Sequence, residues 1–272
     1  MRITLDVFPG GKHKALTMSY DDGTIHDRRL VEIFNKYGIR GSFHLNSGKF
    51  GSSAGRGHIN SDEIATLFEG HEISAHTLTH PHLPYCTQEG IIYEVMEDRR
   101  LLEELAGYPV RGMSYPFGTY NDTVLKALPG LGIEYSRTVK SHGQYTLPED
   151  FLQWHPTCHH KNADKHVNDF VNLNTTGGLR LLYIWGHSYE FEDIKENNNW
   201  DYIEDICNKL ANHDDIWYAT NIEIVDYMKA LSNLRFSASQ QFVYNPSSIS
   251  VWIKVDGKEV EVKAGATISL NS

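Results

Sequence analysis

Seven short apolar or β-branched runs, at residues 14–19, 40–45, 71–76, 110–115, 133–139, 180–186 and 216–220, alternate along this chain with segments of helical spacing. Strand–helix alternation of this kind predicts a parallel sheet, because each parallel pairing needs a long crossover that a helix supplies. With seven strands, the expected architecture is α/β, a distorted (β/α)7-type barrel. The helical segments carry their own signals. Leu30, Ile33, Phe34 and Tyr37 share one face and Gly38 follows them as a stop. Asn60 with Glu63 reads as a capping box before a helix that Gly70 ends. The longest candidate runs over 88–106, with Ile91, Val95, Leu102 and Leu105 inward and Gly107 at its end; others lie at 121–128, 200–210 and 222–231. Asn197, Asn198 and Asn199 read as a short polar loop.

From about residue 236 the pattern changes to strand throughout. Val251–Val255 and Val260–Val262 flank Asp256-Gly257, a hairpin signal. The expected division is therefore a barrel over 1–235 and a small C-terminal β appendage over 236–272, packed on the barrel rather than standing alone.

In a parallel barrel the chemistry gathers where strands end and βα loops begin. The residues able to do chemistry fall there. Asp21 and Asp22 follow the first run, His76 ends the third with His80 just beyond, Tyr115–Gly118 follow the fourth, and His187 follows the sixth. One carboxylate and two imidazoles form a three-ligand set for a divalent metal with a position left open, the arrangement hydrolysis requires. The second carboxylate of the pair is then free to take a proton.

Four of these segments, Ser-Tyr-Asp-Asp-Gly at 19–23, His-Thr-Leu-Thr-His-Pro at 76–81, Tyr-Pro-Phe-Gly at 115–118 and Leu-Tyr-Ile-Trp-Gly-His at 182–187, resemble motifs of the NodB-type polysaccharide deacetylases, carbohydrate esterase family 4. The resemblance covers roughly residues 12–230, in the family's order, and implies a distorted barrel of about seven strands. It implies that Asp22, His76 and His80 bind a divalent metal, zinc first, with cobalt, nickel or manganese as alternatives. Asp21 would be the general base for water activated at the metal. His187 would be the acid that protonates the leaving group. The backbone around Tyr115 and Phe117, above all the Phe117 N–H, would hold the oxyanion. The implied reaction removes acetyl groups from a carbohydrate, N-acetylglucosamine units of a poly- or oligosaccharide being the first expectation. A xylan-type O-acetyl esterase, a hydrolase of non-sugar amides and a non-catalytic sugar-binding barrel are the other readings.

The chain departs from the family pattern in two places. The arginine expected directly before the Pro-Phe turn is replaced by Ser114 and Tyr115, so Arg111 is the nearest candidate to orient Asp21. The acidic residue expected before a tryptophan is not clean: Trp154 is present with Asp150 nearby, and Trp154 is expected to wall the site beside His187. The partner of His187 is not legible. Tyr120, Trp185 and Tyr189 are candidates for stacking on a sugar or for packing the barrel mouth. The run His155, Cys158, His159, His160 reads as groove-lining histidines, with a second metal site as the alternative.

Composition narrows the partners. A formal net charge of -10 with no Lys/Arg cluster argues against nucleic acid or an anionic membrane. Cys86, Cys158 and Cys207 are too few and too scattered for a disulfide framework. The first residues hold no signal-peptide core, so the chain as given is expected to be cytoplasmic, or secreted if a leader once preceded it. The sequence does not speak to oligomeric state.

Overall fold

The computed structural model of the chain describes residues 1–193 and 198–270. The first strand, β1 (Ile3–Thr4), belongs to the C-terminal appendage; the barrel begins with β2 (Lys14–Asp21). It continues through β3 (Gly41–Leu45), β4 (Glu72–Ala75), β5 (Gly112–Ser114), β6 (Tyr135–Arg137), β7 (Cys158–His159), β8 (Arg180–Gly186) and β9 (Ile216–Tyr218). All pairings among these strands are parallel. Seven lie in the order β6-β5-β4-β3-β2-β8-β7, and β9 pairs with the first residues of β2. Every expected strand is present. The two-residue β7 is the addition, too short for periodicity to announce.

The sheet curls until its ends meet through the segment before β7. The Trp154 N–H donates to the Ser136 carbonyl and the Thr138 N–H to that of Trp154, each at 3.0 Å, while the Thr157 N–H reaches the Tyr183 carbonyl at 2.9 Å. The chain from 154 to 157 thus joins β6 to β8.

The helices are α1 (Asp27–Tyr37), the single turn α2 (Ile64–Leu67), α3 (Gln88–Ala106), α4 (Asp122–Ala127), α5 (Ala163–Val171), α6 (Trp200–Leu210) and α7 (Asn221–Ser232). Gly38 ends α1 at φ 65° and Gly107 ends α3 at φ 76°, left-handed positions that favour glycine. Asn60 and Glu63 form the expected capping box, though the helix it opens is short. Asn197 lies outside the described residues.

β2 is buried along its whole length, and its two faces differ. Leu16, Met18 and Tyr20 pack in the main core with helical residues such as Leu30 and Phe34. Thr17, Ser19 and Asp21 alternate with them and face a polar lumen. Thr17 donates to Asn221 Oδ1, Ser42 to Glu72, and Tyr135 Oη to Glu72, all at 2.7 Å. A strand fixed on both faces cannot slip by one residue without exchanging its apolar and polar sets. That is what fixes which way Asp21 points.

The appendage contains β10 (Arg235–Phe236), β11 (Phe242–Tyr244), β12 (Val251–Val255), β13 (Lys258–Val262) and β14 (Thr267–Ser269). Two three-stranded antiparallel sheets result, β1-β12-β13 and β10-β11-β14. Asp256 and Gly257, both at positive φ, form the two-residue hairpin turn between β12 and β13. Val243, Val251, Ile253 and Val262 are buried with Ile224, Val225, Tyr227 and Leu231 of α7. Among the described residues no helix is long and apolar enough to cross a membrane.

Candidate metal and catalytic site

Asp21, Ser114, Arg137 and His159 are the last residues of β2, β5, β6 and β7. Asp22, Asn46, His76 and His187 each follow a strand directly, so all eight lie at one mouth of the barrel. The backbone there is bent into uncommon conformations. Of seven non-glycine residues at positive φ among those described, four are Asp22 (80°), Thr77 (66°), His80 (65°) and Phe117 (57°). Strain of this kind persists only where the surroundings impose it, and it clusters at functional sites.

The surroundings can be named. The Asp22 N–H donates to the His44 carbonyl at 3.0 Å, and the His76 N–H to the Leu45 carbonyl at 3.0 Å. Asn46 Nδ2 donates to the carbonyls of His76 and Thr77 at 2.5 and 2.9 Å. Asp98, buried on the inward face of α3, accepts from the His76 N–H at 3.0 Å and from the N–H and hydroxyl of Ser47 at 2.8 and 2.6 Å. Burial outweighs these bonds and pushes the Asp98 carboxyl up to about 7.

His76 Nε2 and His80 Nε2 stand 3.7 and 3.5 Å from Asp22 Oδ1. These separations exceed a hydrogen bond. They match the edge, roughly 3.4 Å, of a tetrahedron of ligands held about 2.1 Å from a zinc-like ion. Asp22 Oδ1 is buried and has no hydrogen-bond partner. A buried carboxylate oxygen left bare between two imidazole nitrogens fits a cation. His76 Nδ1 lies 2.9 Å from the Ser114 carbonyl and 2.7 Å from its hydroxyl. A proton on Nδ1 satisfies the carbonyl and leaves the Nε2 lone pair facing the site. Burial, the largest influence, lowers both histidines, His80 to about 4 with His76 as the next cause. Both are therefore neutral near pH 7, the form that binds metal.

Asp21 is gripped by Arg137, whose Nη2 contacts Asp21 Oδ2, and by Ser114 Oγ, which donates to Asp21 Oδ1 at 3.0 Å. Burial opposes the Asp21 charge, but the Arg137 guanidinium, with His76 and His44, outweighs it and holds the carboxyl far below the usual range. The expectation for Arg111 is corrected here. Arg111 precedes β5, at the opposite end of that strand from Ser114, and forms a two-pronged pair with Asp226 of α7 at 2.7 Å, with Glu134 at 3.1 Å. The arginine at Asp21 comes from the neighbouring strand.

His187 Nε2 faces Asp22 Oδ2 at 4.0 Å, and its Nδ1 lies 3.0 Å from Glu190 Oε1. Burial lowers this imidazole, but the Glu190 hydrogen bond and the charges of Asp21 and Asp22 raise it further, to a net position above the ordinary value. Tyr189 stacks on His187 at 5.0 Å, and Arg56 caps Tyr189 at 3.6 Å.

The aromatic expectations divide. Phe117 is 54% exposed, stacks on His82 at 3.8 Å and meets His80 edge-on at 4.5 Å, so it stands at the mouth. Trp185 lies mostly buried beneath Arg137, which sits 4.5 Å over its ring. Trp154 and Tyr115 are corrected. The Trp154 indole is fully buried among Tyr135, Phe151 and Tyr183, because the strand-like pairing of its backbone turns the ring into the core. The Tyr115 ring is buried against Tyr120 with its hydroxyl on the Leu152 carbonyl, and its N–H is spent on the Arg137 carbonyl. Neither side chain has a face for a sugar. The histidine run also divides: His155 bonds Thr138 Oγ1 at 2.6 Å and Cys158 is core, whereas His159 and His160 each reach Glu190.

The sequence model of the polysaccharide deacetylase family matches residues 9–136. A chitin deacetylase of Arthroderma benhamiae is 30% identical over 119 residues, which are 43% of this chain and 31% of that protein. The chain spans 31–54% of the length of the curated relatives it matches. Among solved structures, a Mycobacterium smegmatis protein assigned to the polysaccharide deacetylases superposes with TM-score 0.60 at 18% identity, covering 83% of this chain and 93% of its own. A family 4 acetyl xylan esterase of Clostridium thermocellum, in complex with a cobalt ion, gives TM-score 0.53 at 14% identity over 79% and 92%. At such identities the structural likeness speaks for the barrel alone. The sequence match to the polysaccharide deacetylase family spans the two motifs that carry the three donors, and the barrel shared with the Mycobacterium smegmatis protein extends well beyond it.

Proposed function

We propose that the protein is a metal-dependent hydrolase that removes acetyl groups from a carbohydrate, with N-acetylglucosamine units of a poly- or oligosaccharide as substrate. The observation that carries this reading is the bare Asp22 Oδ1 between two imidazole nitrogens, beside a separate, arginine-held carboxylate. Asp22, His76 and His80 would hold the ion, zinc first, with cobalt, nickel or manganese as alternatives; the Clostridium thermocellum esterase is described with cobalt. When bound, the ion would polarise the acetyl carbonyl and make water a nucleophile near neutral pH.

The remaining chemistry falls to the chain's own groups. Asp21 takes the proton of the attacking water. The new C–O bond forms at the acetyl carbon, and negative charge moves to the former carbonyl oxygen. In the 115–119 turn Pro116 has no N–H, while those of Tyr115, Gly118 and Thr119 are bonded within the fold. That leaves the Phe117 N–H, turned by its positive φ, as the oxyanion donor. His187 donates its Nε2 proton to the amide nitrogen as the C–N bond breaks, giving acetate and a free amine.

The test is acetate release from chitin oligomers, peptidoglycan fragments, acetylxylan and small N-acetyl sugars. Release from an N-acetylglucosamine substrate is expected. Release from acetylxylan alone would replace the amide by an ester, and release from none would remove the deacetylase reading.

A further inference from the structure

Among the described residues a second group of donors, His159, His160 and Glu190, converges beside the first. Its spacing distinguishes it from the metal set. His159 Nε2 and His160 Nε2 both lie 3.1 Å from Glu190 Oε2, and Asn198 Oδ1 is 2.8 Å from His160 Nε2. These are hydrogen-bond lengths, shorter than the 3.5 and 3.7 Å across Asp22. The tautomers agree. The Lys161 N–H points at His159 Nδ1 at 3.4 Å, so that nitrogen keeps its lone pair and the proton sits on Nε2, aimed at Glu190. His160 is fully buried, its ring stacked at 5.7 Å on Tyr20 and pressed against Gly186, where an added Cβ would come within 2.0 Å of His160 Nδ1.

Glu190 stands in the 3-10 turn Ser188–Asp193 just after His187, with its other oxygen 3.0 Å from His187 Nδ1. One carboxylate is thus held on one oxygen by two imidazoles from the end of β7 and presents the other to a third. We propose that Glu190 is the positioning residue of His187, and that His159 and His160 form a clamp whose catalytic influence runs only through Glu190. The clamp keeps the proton on His187 Nδ1 and Nε2 toward the substrate, and ties the loop after β8 to the β7 strand end. It rests on the reading of His187 as the acid.

The experiment is a double-mutant cycle with metal counting. Glu190→Ala is expected to lower kcat about 10–100-fold, with KM and metal content unchanged. In a His187→Ala background, Glu190→Ala should cost nothing further, because its route is gone. His160→Gln and His159→Gln, which keep an N–H donor near the Nε2 position, should retain more kcat than His160→Leu and His159→Leu. An undiminished Glu190→Ala penalty without His187, or equal losses in the glutamine and leucine variants, would overturn the proposal and leave a structural role only. Loss of a metal equivalent in His159→Leu would overturn it in favour of a second ion site. If His187→Ala itself kept full turnover, the assignment of the acid would fail instead, a distinguishable result.

Discussion

Asp21→Asn is expected to retain its metal and to lose about 10²–10⁴ of kcat. The substitution keeps the shape of the side chain and leaves Asp22, His76 and His80 intact, so metal content should match wild type. What disappears is a carboxylate that stands 4.0 Å from His76 Nε2 and is not one of the three donors. Asp21 is a weak base in isolation, since Arg137 holds its proton affinity low. That weakness is tolerable where the attacking water is already acidified, and it keeps Asp21 ionised at every working pH. The same variant leaves Arg137 buried opposite a neutral amide, and removal of one partner from a buried pair costs about 3–5 kcal/mol. Activity must therefore be compared below the variant's own melting temperature. Near-wild-type turnover with metal bound would assign the base elsewhere.

The second large effect separates Arg137, which contacts Asp21, from Arg111, the arginine that proximity in sequence selects. Arg137→Leu should be destabilised by about 3–5 kcal/mol, because the fully buried Asp21 loses its counter-charge. It should also lose most of its activity, because the Asp21 proton affinity rises and its carboxylate loses a fixed pose. Arg111→Leu should do neither. Its pair with Asp226 is about a third exposed, and such pairs contribute only about 0–1 kcal/mol. Parallel denaturant melts and kcat values of the two variants decide the matter. Equal loss of kcat in both would return Arg111 to the site.

The contrast also shows what a sequence can and cannot disclose here. The barrel was legible because helices and strands alternate with different apolar periods, and because Gly38, Gly107 and Asp256-Gly257 mark ends and turns by their own conformational preferences. Asp21, Asp22, His76, His80 and His187 were legible because polar residues just past apolar runs must lie at one barrel mouth. Arg137 was hidden by proximity reasoning. Arg111 is nearer to the third motif in sequence, but adjacent strands bring residue 137 level with Ser114. A signal existed, since a charge inside a strand such as Tyr-Ser-Arg is buried only if paired. Asp98 gave a similar signal, one acid on the apolar stripe of Ile91, Val95 and Leu102. Glu190, three residues past His187, lies in a turn that no periodicity describes. Trp154 was misplaced because closeness to Asp150 in sequence says nothing of the direction its backbone pairing imposes.

The central claim is that Asp22, His76 and His80 hold one cation on which turnover depends. Metal-stripped protein titrated with zinc or cobalt, with bound metal and acetate release followed in the same samples, tests it most directly. The account predicts no release in chelator and activity rising in proportion to metal to a plateau at one ion per active centre. It also predicts that Asp22→Ala neither retains the ion nor recovers. Full turnover by metal-free protein, or an Asp22→Ala variant that binds the ion as tightly as wild type, would contradict it.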